Sequence, residues 1–404
     1  MIKTAILGYG TIGSGAAEVL EINKKAIAER VGEEISLKYI LDRKDVSGDK
    51  REALVTTDFE KIVNDDEVKI VIETMGGTGA AYTFVKAALE AGKSVATSNK
   101  ALVAKYGTEL MEIAKAKNAS FLYEASVGGG IPIIRPLYDA LCADEVEEIS
   151  GIMNGTTNFI LTKMAKEGSD FSEVLKEAQS LGFAEADPTD DVEGYDAGRK
   201  ISILTSIVSG KQVNFEGVHM EGITKITAED MKYALVLDRA IKLVATSKKT
   251  DKGYYAVVSP VMLPDSHPLY PVNGVFNAIF VKGNVLGDSM FYGSGAGMLP
   301  TASAVIADVV NIAKNLGKHI PYDWSKEELK LLNYEDMTRK FFVRASGEVK
   351  EREKEITELF GDVAFVEAAG IKGEFGFVTE EMSEKDFAGK YDKLNNKITR
   401  IRLG

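Results

Sequence analysis

Cysteine occurs once in the 404 residues, at Cys142, so neither a disulfide framework nor a thiolate-rich metal site can be built. Histidine occurs three times, at His219, His267 and His319, with no ligand spacing between them, which speaks against zinc alcohol dehydrogenase chemistry. Positive charge is in deficit, with 49 Lys and Arg against 61 Asp and Glu and a net charge of −12. A nucleic acid or an anionic membrane would need a basic patch, so neither is expected as a partner. No apolar run reaches the roughly 18 residues of a membrane span. The chain starts on an apolar strand, MIKTAILG, rather than on a signal peptide. A cytoplasmic protein is expected. What remains, 45% hydrophobic and 27% charged residues, is the balance of a globular protein long enough for two or three domains.

Ile2–Leu7 reads as a strand that runs into Gly8-Tyr9-Gly10-Thr11-Ile12-Gly13, with a helix expected from Ala16 to about Arg30. In a strand, GxGxxG, helix succession the glycines permit a tight turn and close backbone approach, and the helix N-terminus receives a pyrophosphate. Gly8, Tyr9, Gly10, Thr11, Ile12 and Gly13 are therefore candidate cofactor contacts. The second strand, Ser36–Leu41, ends in Asp42-Arg43-Lys44. Asp42 would suit a ribose hydroxyl, as in NAD enzymes, whereas Arg43 and Lys44 would suit the phosphate of NADP. Both readings stand. Strands at Val68–Glu73, Ser94–Thr97 and Ala119–Tyr123 alternate with helices at Ala80–Ala91 and Ala101 to about Lys117. This is the pattern of a Rossmann-like, doubly wound parallel sheet, whose ligands bind beyond the carboxyl ends of the strands. Two loops lie there, Thr97-Ser98-Asn99-Lys100 and Glu124 to Ile131 (EASVGGGI). A lysine at a helix start opposes the helix dipole, which favours a functional Lys100 over a surface charge. Tyr82 and Lys86 have the Y-x-x-x-K spacing of short-chain dehydrogenases, but on an early crossover helix, where it reads as coincidence.

Pro132 to about Ala143 reads as a helix in which Cys142 is expected to pack rather than react. Asn154-Gly155-Thr156-Thr157-Asn158 follows a strand and opens a helix, so its hydroxyls and amides can cap that helix or bind a polar ligand. A helix at Ser172–Leu181 leads into the stretch around which the chain is organised, Leu181–Ile207. Its first half is acidic and broken by Pro188; its second half reads as a helix with Asp190 or Asp191 as N-cap. Asp196 and Lys200 stand four apart on one face, beside an apolar arc of Ile201, Ile203, Leu204, Ile207 and Val208. Taken alone this is an ordinary helical ion pair. At the mouth of a buried helix it is a proton-transfer site, because desolvation lowers a lysine pKa and a neighbouring carboxylate raises it. Segments rich in β-branched residues at Arg239–Thr246, Tyr254–Pro260, Val275–Val281 and Asn284–Phe291, with a turn at Lys282-Gly283-Asn284, predict antiparallel strands. One face of such a sheet is free to bury against another subunit, so a homodimer or higher homo-oligomer is expected. A second glycine-rich turn, Tyr292 to Gly297, precedes an apolar helix from Thr301 to about Leu316 that should pack on the first sheet and bring the turn near the cofactor. Gly295, Gly182 and Arg43 complete the cofactor candidates. His319 to Asn333 reads as a polar linker containing Trp324, and Met337–Gly404 as a small, charged α+β unit.

Taken together, GYGTIG at Gly8–Gly13, the TSNK loop ending at Lys100, EASVGGGIP from Glu124, GIMNGTTNFIL from Gly151, GFAEADPTDDVEGYDAGRK ending at Lys200 and YGSGAGMLPTASAV from Tyr292 resemble the homoserine dehydrogenase family. The resemblance runs over roughly the first 320 positions. It implies NADH- or NADPH-dependent reduction of L-aspartate 4-semialdehyde to L-homoserine, on the path to threonine, methionine and isoleucine. Carried over by position, it implies Lys200 as proton donor, Asp196 as its partner, and Lys100 as a second lysine near both the nicotinamide and the substrate. It implies Glu185 at the substrate amino group, with Asp191 in reach. Glu124 and the carbonyls of Val127, Gly129 and Ile131 resemble the family's monovalent-cation site, usually described as sodium; a plain glycine loop under the sheet is the equal alternative. The chemistry agrees, since hydride delivery to an aldehyde leaves an alkoxide, and a cation able to donate a proton stabilises it. The tail departs from the pattern. Larger members end in an ACT domain that binds threonine, and the tail's β–α–β order is ACT-like. Its Asp-x-x-Gly turn, however, is replaced by Ala345-Ser346-Gly347-Glu348, which puts threonine inhibition in doubt and makes assembly the alternative role. No aspartate kinase precedes the first domain, so a single activity is expected. The fold expected is thus α/β: a Rossmann-like doubly wound parallel sheet in 1–135 completed by helix 298–318, a second α+β domain for substrate binding and dimerisation in 136–297, and a small ACT-like α+β C-terminal unit in 335–404.

Overall fold

Short runs of Val, Ile and Leu, bounded by glycine and polar turns, form the parallel sheet with which the chain begins. In this computed structural model, which describes every residue except Asp45, its elements are β1 (Ile2–Leu7), α1 (Thr11–Ile22), α2 (Lys24–Val31), β2 (Ile35–Leu41), β3 (Val55–Thr56), α3 (Glu60–Val63), β4 (Val68–Glu73), α4 (Ala80–Glu90), β5 (Ser94–Thr97), α5 (Lys100–Ala116) and β6 (Phe121–Leu122). The strand order is β3-β2-β1-β4-β5-β6, parallel throughout, which is the doubly wound order with its switch point between β1 and β4. The central strands β1 and β4 are buried along almost their whole length, which fits strands that are mostly apolar, interrupted by Lys3 and Thr4 in β1 and by Lys69 in β4. Helix Met298–Lys314 supplies Ala302, Val305, Ile306 and Val309 to the same core as Ile6, Ile70, Ile72 and Ala96. The unit these elements belong to comprises Met1–Glu145, Ser202–Phe215 and Phe291–Leu329.

Four details differ from the sequence reading. The first helix starts at Thr11, directly on the glycine turn, and breaks at Asn23. Pro132–Ala143 is not a regular helix. Pro136 has no N–H to continue a helical ladder, and the chain closes a wider turn in which the Leu141 N–H reaches the Pro136 carbonyl at 2.8 Å. Cys142, expected to pack, is exposed beyond that turn. The segment after His319 is more than a linker. Trp324 is buried, its indole N–H donates to Gln212 Oε1 at 2.8 Å, and strand Ser325–Glu328 pairs with Lys211–Gln212.

The second unit comprises Val146–Ile201, Glu216–Met290 and Lys330–Gly404. Its sheet of ten strands runs in the order Gly287–Ser294, Phe276–Gly283, Val146–Ile152, Arg239–Thr250, Gly253–Pro264, Lys397–Leu403, Phe341–Ser346, Glu374–Thr379 and Val363–Val366, with His219–Met220 paired to Gly253–Pro264. The hairpin turn falls at Asn284–Leu286, two residues beyond the expected triplet. The tail is a strand–helix–strand–strand–helix–strand unit, the split β–α–β arrangement, whose core stacks Phe341 on Phe387 with Phe360, Phe375 and Phe377 around them. It does not stand apart. Arg402 and Leu403 of its last strand pair in parallel with Val261 and Met262. Two ion pairs reinforce the join, Arg344 to Asp230 and Arg402 to Glu221, each at 2.7 Å, while Glu374 and Glu384 hold the same two arginines from within the tail.

Candidate active site

In the first unit, the polar groups collect at the carboxyl ends of β1, β4 and β5. Gly8 has φ +91°, and a Cβ there would fall 2.9 Å from Met75 Cα; one at Gly13 would fall 2.0 Å from the Gly8 carbonyl oxygen. Only glycine lets the turn and α1 approach so closely. The N-terminal amides of α1 follow at once, the arrangement that receives phosphate. Thr74 fastens the turn, donating its hydroxyl to the Gly8 carbonyl at 2.7 Å. At the end of β2, Asp42 accepts the Tyr9 N–H at 2.6 Å and the Lys44 N–H at 2.8 Å. Burial acts to raise this carboxyl's pKa, but the amides of Lys44, Tyr9 and Arg43 prevail and hold it below its ordinary value. Arg43 and Lys44 are exposed. Lys100 is the first residue of α5, partly buried, behind an N-cap in which Asn99 accepts the Leu102 N–H at 3.1 Å.

The EASVGGGI loop belongs to the same unit. Glu124 is buried, and its carboxylate accepts the N–H groups of Ile133 and Ile134 at 2.6 and 2.8 Å on one oxygen and of Arg135 at 2.8 Å on the other. The two glycine-rich turns interlock: a Cβ on Gly129 would fall 2.1 Å from the Gly295 carbonyl, and the Gly130 N–H donates to Ser294 O at 3.0 Å. Val127 and Ile131 are buried in this loop. Asp308, on the apolar helix, accepts from the Glu124 N–H and from Arg135, both at 2.8 Å. Burial and the nearby Glu124 charge push its carboxyl up to about 7 against the pull of Arg135.

In the second unit, the organising stretch is two helices, not one. Thr189–Val192 is a short turn of helix that follows Pro188, and Tyr195–Ser209 begins after Gly194. Asp190 and Asp191 therefore lie in the first turn of the short helix and do not cap the long one. Asp196 and Lys200 are both buried, at 2% and 8% exposure, so the pair is not a surface salt bridge. Lys200 Nζ donates to Asp196 Oδ2 at 2.7 Å and to the Met153 carbonyl at 2.7 Å. Asn154 orients the carboxylates: its amide donates to Asp196 Oδ2 at 2.9 Å and to Asp191 Oδ1 at 2.7 Å, while its own oxygen caps helix Gly155–Glu167 through the Thr157 N–H. Burial, then the Asp196 charge, raises the Asp191 pKa. Gly182 and Glu185 lie on the exposed loop before Pro188, which is tied to the same helix where Thr156 donates to Phe183 O at 2.6 Å. Tyr82 and Lys86 both bond Glu109 on the neighbouring helix, and Tyr82 stacks on Tyr106. Among the described residues no cluster of three or more His, Cys, Asp or Glu could hold a metal, and no helix is long and apolar enough to cross a membrane.

Family models of the homoserine dehydrogenase NAD-binding domain and of homoserine dehydrogenase match residues 8–124 and 132–310. The homoserine dehydrogenase of Bacillus subtilis is 39% identical over 412 residues, covering 98% of this chain and 95% of that one. The chain belongs to the homoserine dehydrogenase family. Its fold is shared with the crystal structure of a homoserine dehydrogenase from Thiobacillus denitrificans, with a TM-score of 0.91 and 37% identity over 100% of this chain and 98% of that one. A hyperthermophilic archaeal homoserine dehydrogenase in complex with NADPH matches at a TM-score of 0.64 and 30% identity, over 77% of this chain and 97% of that one. Within this member of the homoserine dehydrogenases, sequence reasoning missed Asn154 as the residue that aligns Asp196, and missed Glu73 and Asp308 altogether. Their only signals are an amide in NGTTN, an acid closing an apolar strand, and an acid inside an apolar helix.

Proposed function

We propose that this homoserine dehydrogenase interconverts L-aspartate 4-semialdehyde and L-homoserine with Lys200 as the proton donor. The observation that carries the reading is the buried Lys200, held by the Met153 carbonyl and by an Asp196 that Asn154 keeps in place. A reduced nicotinamide supplies the hydride when bound. The Lys200 ammonium then delivers a proton to the aldehyde oxygen as negative charge develops there, and Asp196 fixes the direction of the N–H. Lys100 adds a second positive charge for the nicotinamide and substrate. Asp191 and Asp196 put two carboxylates on one asparagine beside one lysine, a surplus of negative charge that suits a substrate ammonium group; Glu185, on its exposed loop, completes that recognition.

Gly8, Tyr9, Gly10, Thr11, Ile12, Gly13, Gly182 and Gly295 serve the cofactor. Asp42 has both oxygens engaged by amides while Arg43 and Lys44 are exposed beyond it, which favours the phosphate of NADPH. For a sodium ion, Glu124 is a poor principal ligand, because three of its about four acceptor positions are filled by backbone N–H groups. The carbonyls of Val127, Gly129 and Ile131 would hold the ion, with Glu124 shaping the loop. The functional divisions remain 1–135 with helix 298–318, 136–297, and an ACT-like tail at 335–404 that serves assembly of a cytoplasmic homodimer or larger oligomer. Oxidation of L-homoserine at alkaline pH with each cofactor tests the reading. Turnover with homoserine above that with other small amino and hydroxy acids, and no inhibition by threonine, is expected; a better alternative substrate would overturn it.

A further inference from the structure

Glu73 closes β4 with its side chain fully buried, and among the described residues no cation pairs with it. Burial raises its pKa, opposed by hydrogen bonds from Thr97, Met75, Gly76 and Asn99. A carboxylate kept in such a place is costly unless each oxygen is satisfied, and the way it is satisfied is informative. One oxygen accepts the Met75 N–H at 2.8 Å and the Gly76 N–H at 3.3 Å, in the loop that follows β4. The other accepts the Thr97 hydroxyl at 2.5 Å, at the start of the loop that carries Lys100. Thr97 Oγ1 in turn accepts the Asn99 N–H at 2.9 Å, and the Asn99 amide returns to the Gly77 carbonyl at 2.6 Å. On its other side the same β4 loop meets the glycine turn, through the Thr74 hydroxyl on Gly8 O and through Met75, which leaves no room for a Cβ on Gly8. One buried side chain thus joins the dinucleotide turn at Gly8–Gly13 to the helix start at Lys100.

We propose that Glu73 is a positioning residue that locks Lys100 in register with the cofactor turn. It acts through Thr97 and Asn99 and need not touch substrate. The inference rests on the assignment of Lys100 to the reaction. Three things follow from the geometry. Glutamine at 73 can still accept the Met75 and Gly76 amides, but it offers an NH2 where Thr97 now donates. The fold should therefore survive, and with the buried charge gone the unfolding midpoint should stay level or rise. The register of Lys100, by contrast, should loosen.

The test is a double-mutant cycle with Glu73→Gln and Thr97→Val, read in three ways: thermal unfolding, cofactor binding by nicotinamide fluorescence titration, and kcat and KM for homoserine oxidation. The expected result is a kcat about tenfold lower in each single variant and no lower in the double variant, because both break the same link. KM for homoserine should stay within about twofold, and cofactor affinity should fall by about threefold in all three. A Glu73→Gln variant with wild-type kcat and cofactor affinity would overturn the proposal, as would losses that multiply in the double variant or that merely follow the unfolding midpoint. Should the wild-type protein prove inactive on homoserine, the proposed function fails; the fluorescence titration still reads the link through cofactor affinity, and unchanged affinity in all three variants then overturns the inference by itself.

Discussion

In the first unit, Glu73, Glu124 and Asp308 are buried at a strand end or beside glycine turns, whereas in the second unit Lys242, Arg344 and Arg402 are buried within the strands that make the sheet. The first unit's carboxylates are satisfied largely by backbone N–H groups and organise loops. The second unit's cations, Arg344 and Arg402, are satisfied by Asp230, Glu374, Glu384 and Glu221, and they fasten the tail to the rest of its unit. The difference teaches that burial of an ion pair in the second unit is no argument for catalysis. Asp196–Lys200 is one buried pair among several there. What separates it is the third partner: Lys200 also holds a backbone carbonyl, and its aspartate is held by an asparagine shared with Asp191.

Arg402→Ala is the sharpest way to break the comparison. It strands Glu384 and weakens the hold on Glu221, and removal of one partner from a buried pair costs about 3–5 kcal/mol. Thermal unfolding should show that loss while kcat for homoserine, measured well below the unfolding midpoint, stays within about twofold. A fall in kcat without a fall in stability would mean that the tail's ion pairs serve the reaction.

Lys242 gives the next effect in size. It is 2% exposed, and its acceptors are neutral: the Val272 carbonyl at 2.6 Å and the Asn273 side chain at 2.9 Å. Burial lowers its pKa from 10.5 to about 8. Because the folded pKa lies below the unfolded one, the unfolded chain binds the extra proton between those values, and this group makes stability rise with pH from about 8 to about 10.5, by up to about 3 kcal/mol. Below about pH 8 its penalty is fully present. Denaturant unfolding across that window should show a steeper rise for the wild type than for Lys242→Met; equal slopes would mean that the folded Lys242 keeps the ordinary pKa of a solvated ammonium.

The smallest effect belongs to the first unit's surface. Arg43→Ala should weaken NADPH by about tenfold, near 1.4 kcal/mol, and leave NADH within about twofold. Equal losses for both cofactors would remove Arg43 from the 2′-phosphate.

How much of this could be read from the sequence follows the same division. The first sheet is legible because its central strands are buried, so β1 and β4 are short, mostly apolar segments that run into the glycine-bearing loops after Leu7 and Glu73. Asp196–Lys200 was legible because one helical turn puts the pair together whatever surrounds it. Asn154 lies 42 residues from Asp196, and Arg344 lies 114 from Asp230; no local period links such partners. The wide turn at Pro136 and the exposure of Cys142 depart from the expected helix because a proline stands inside an otherwise apolar stretch. Trp324 reads as part of a linker because its partners, Gln212 and Tyr123, are far away in the chain.

The most direct measurement is kcat for homoserine oxidation by Lys200→Ala, taken beside its cofactor dissociation constant and its unfolding midpoint. A general acid held in this way should be worth about 10²–10⁴-fold in turnover, with cofactor affinity retained within about twofold and a loss of turnover that persists far below the midpoint. Turnover within about threefold of the wild type, or a loss no greater than the change in folded fraction, would contradict the account and reduce Lys200 to one more buried ion pair of the second unit.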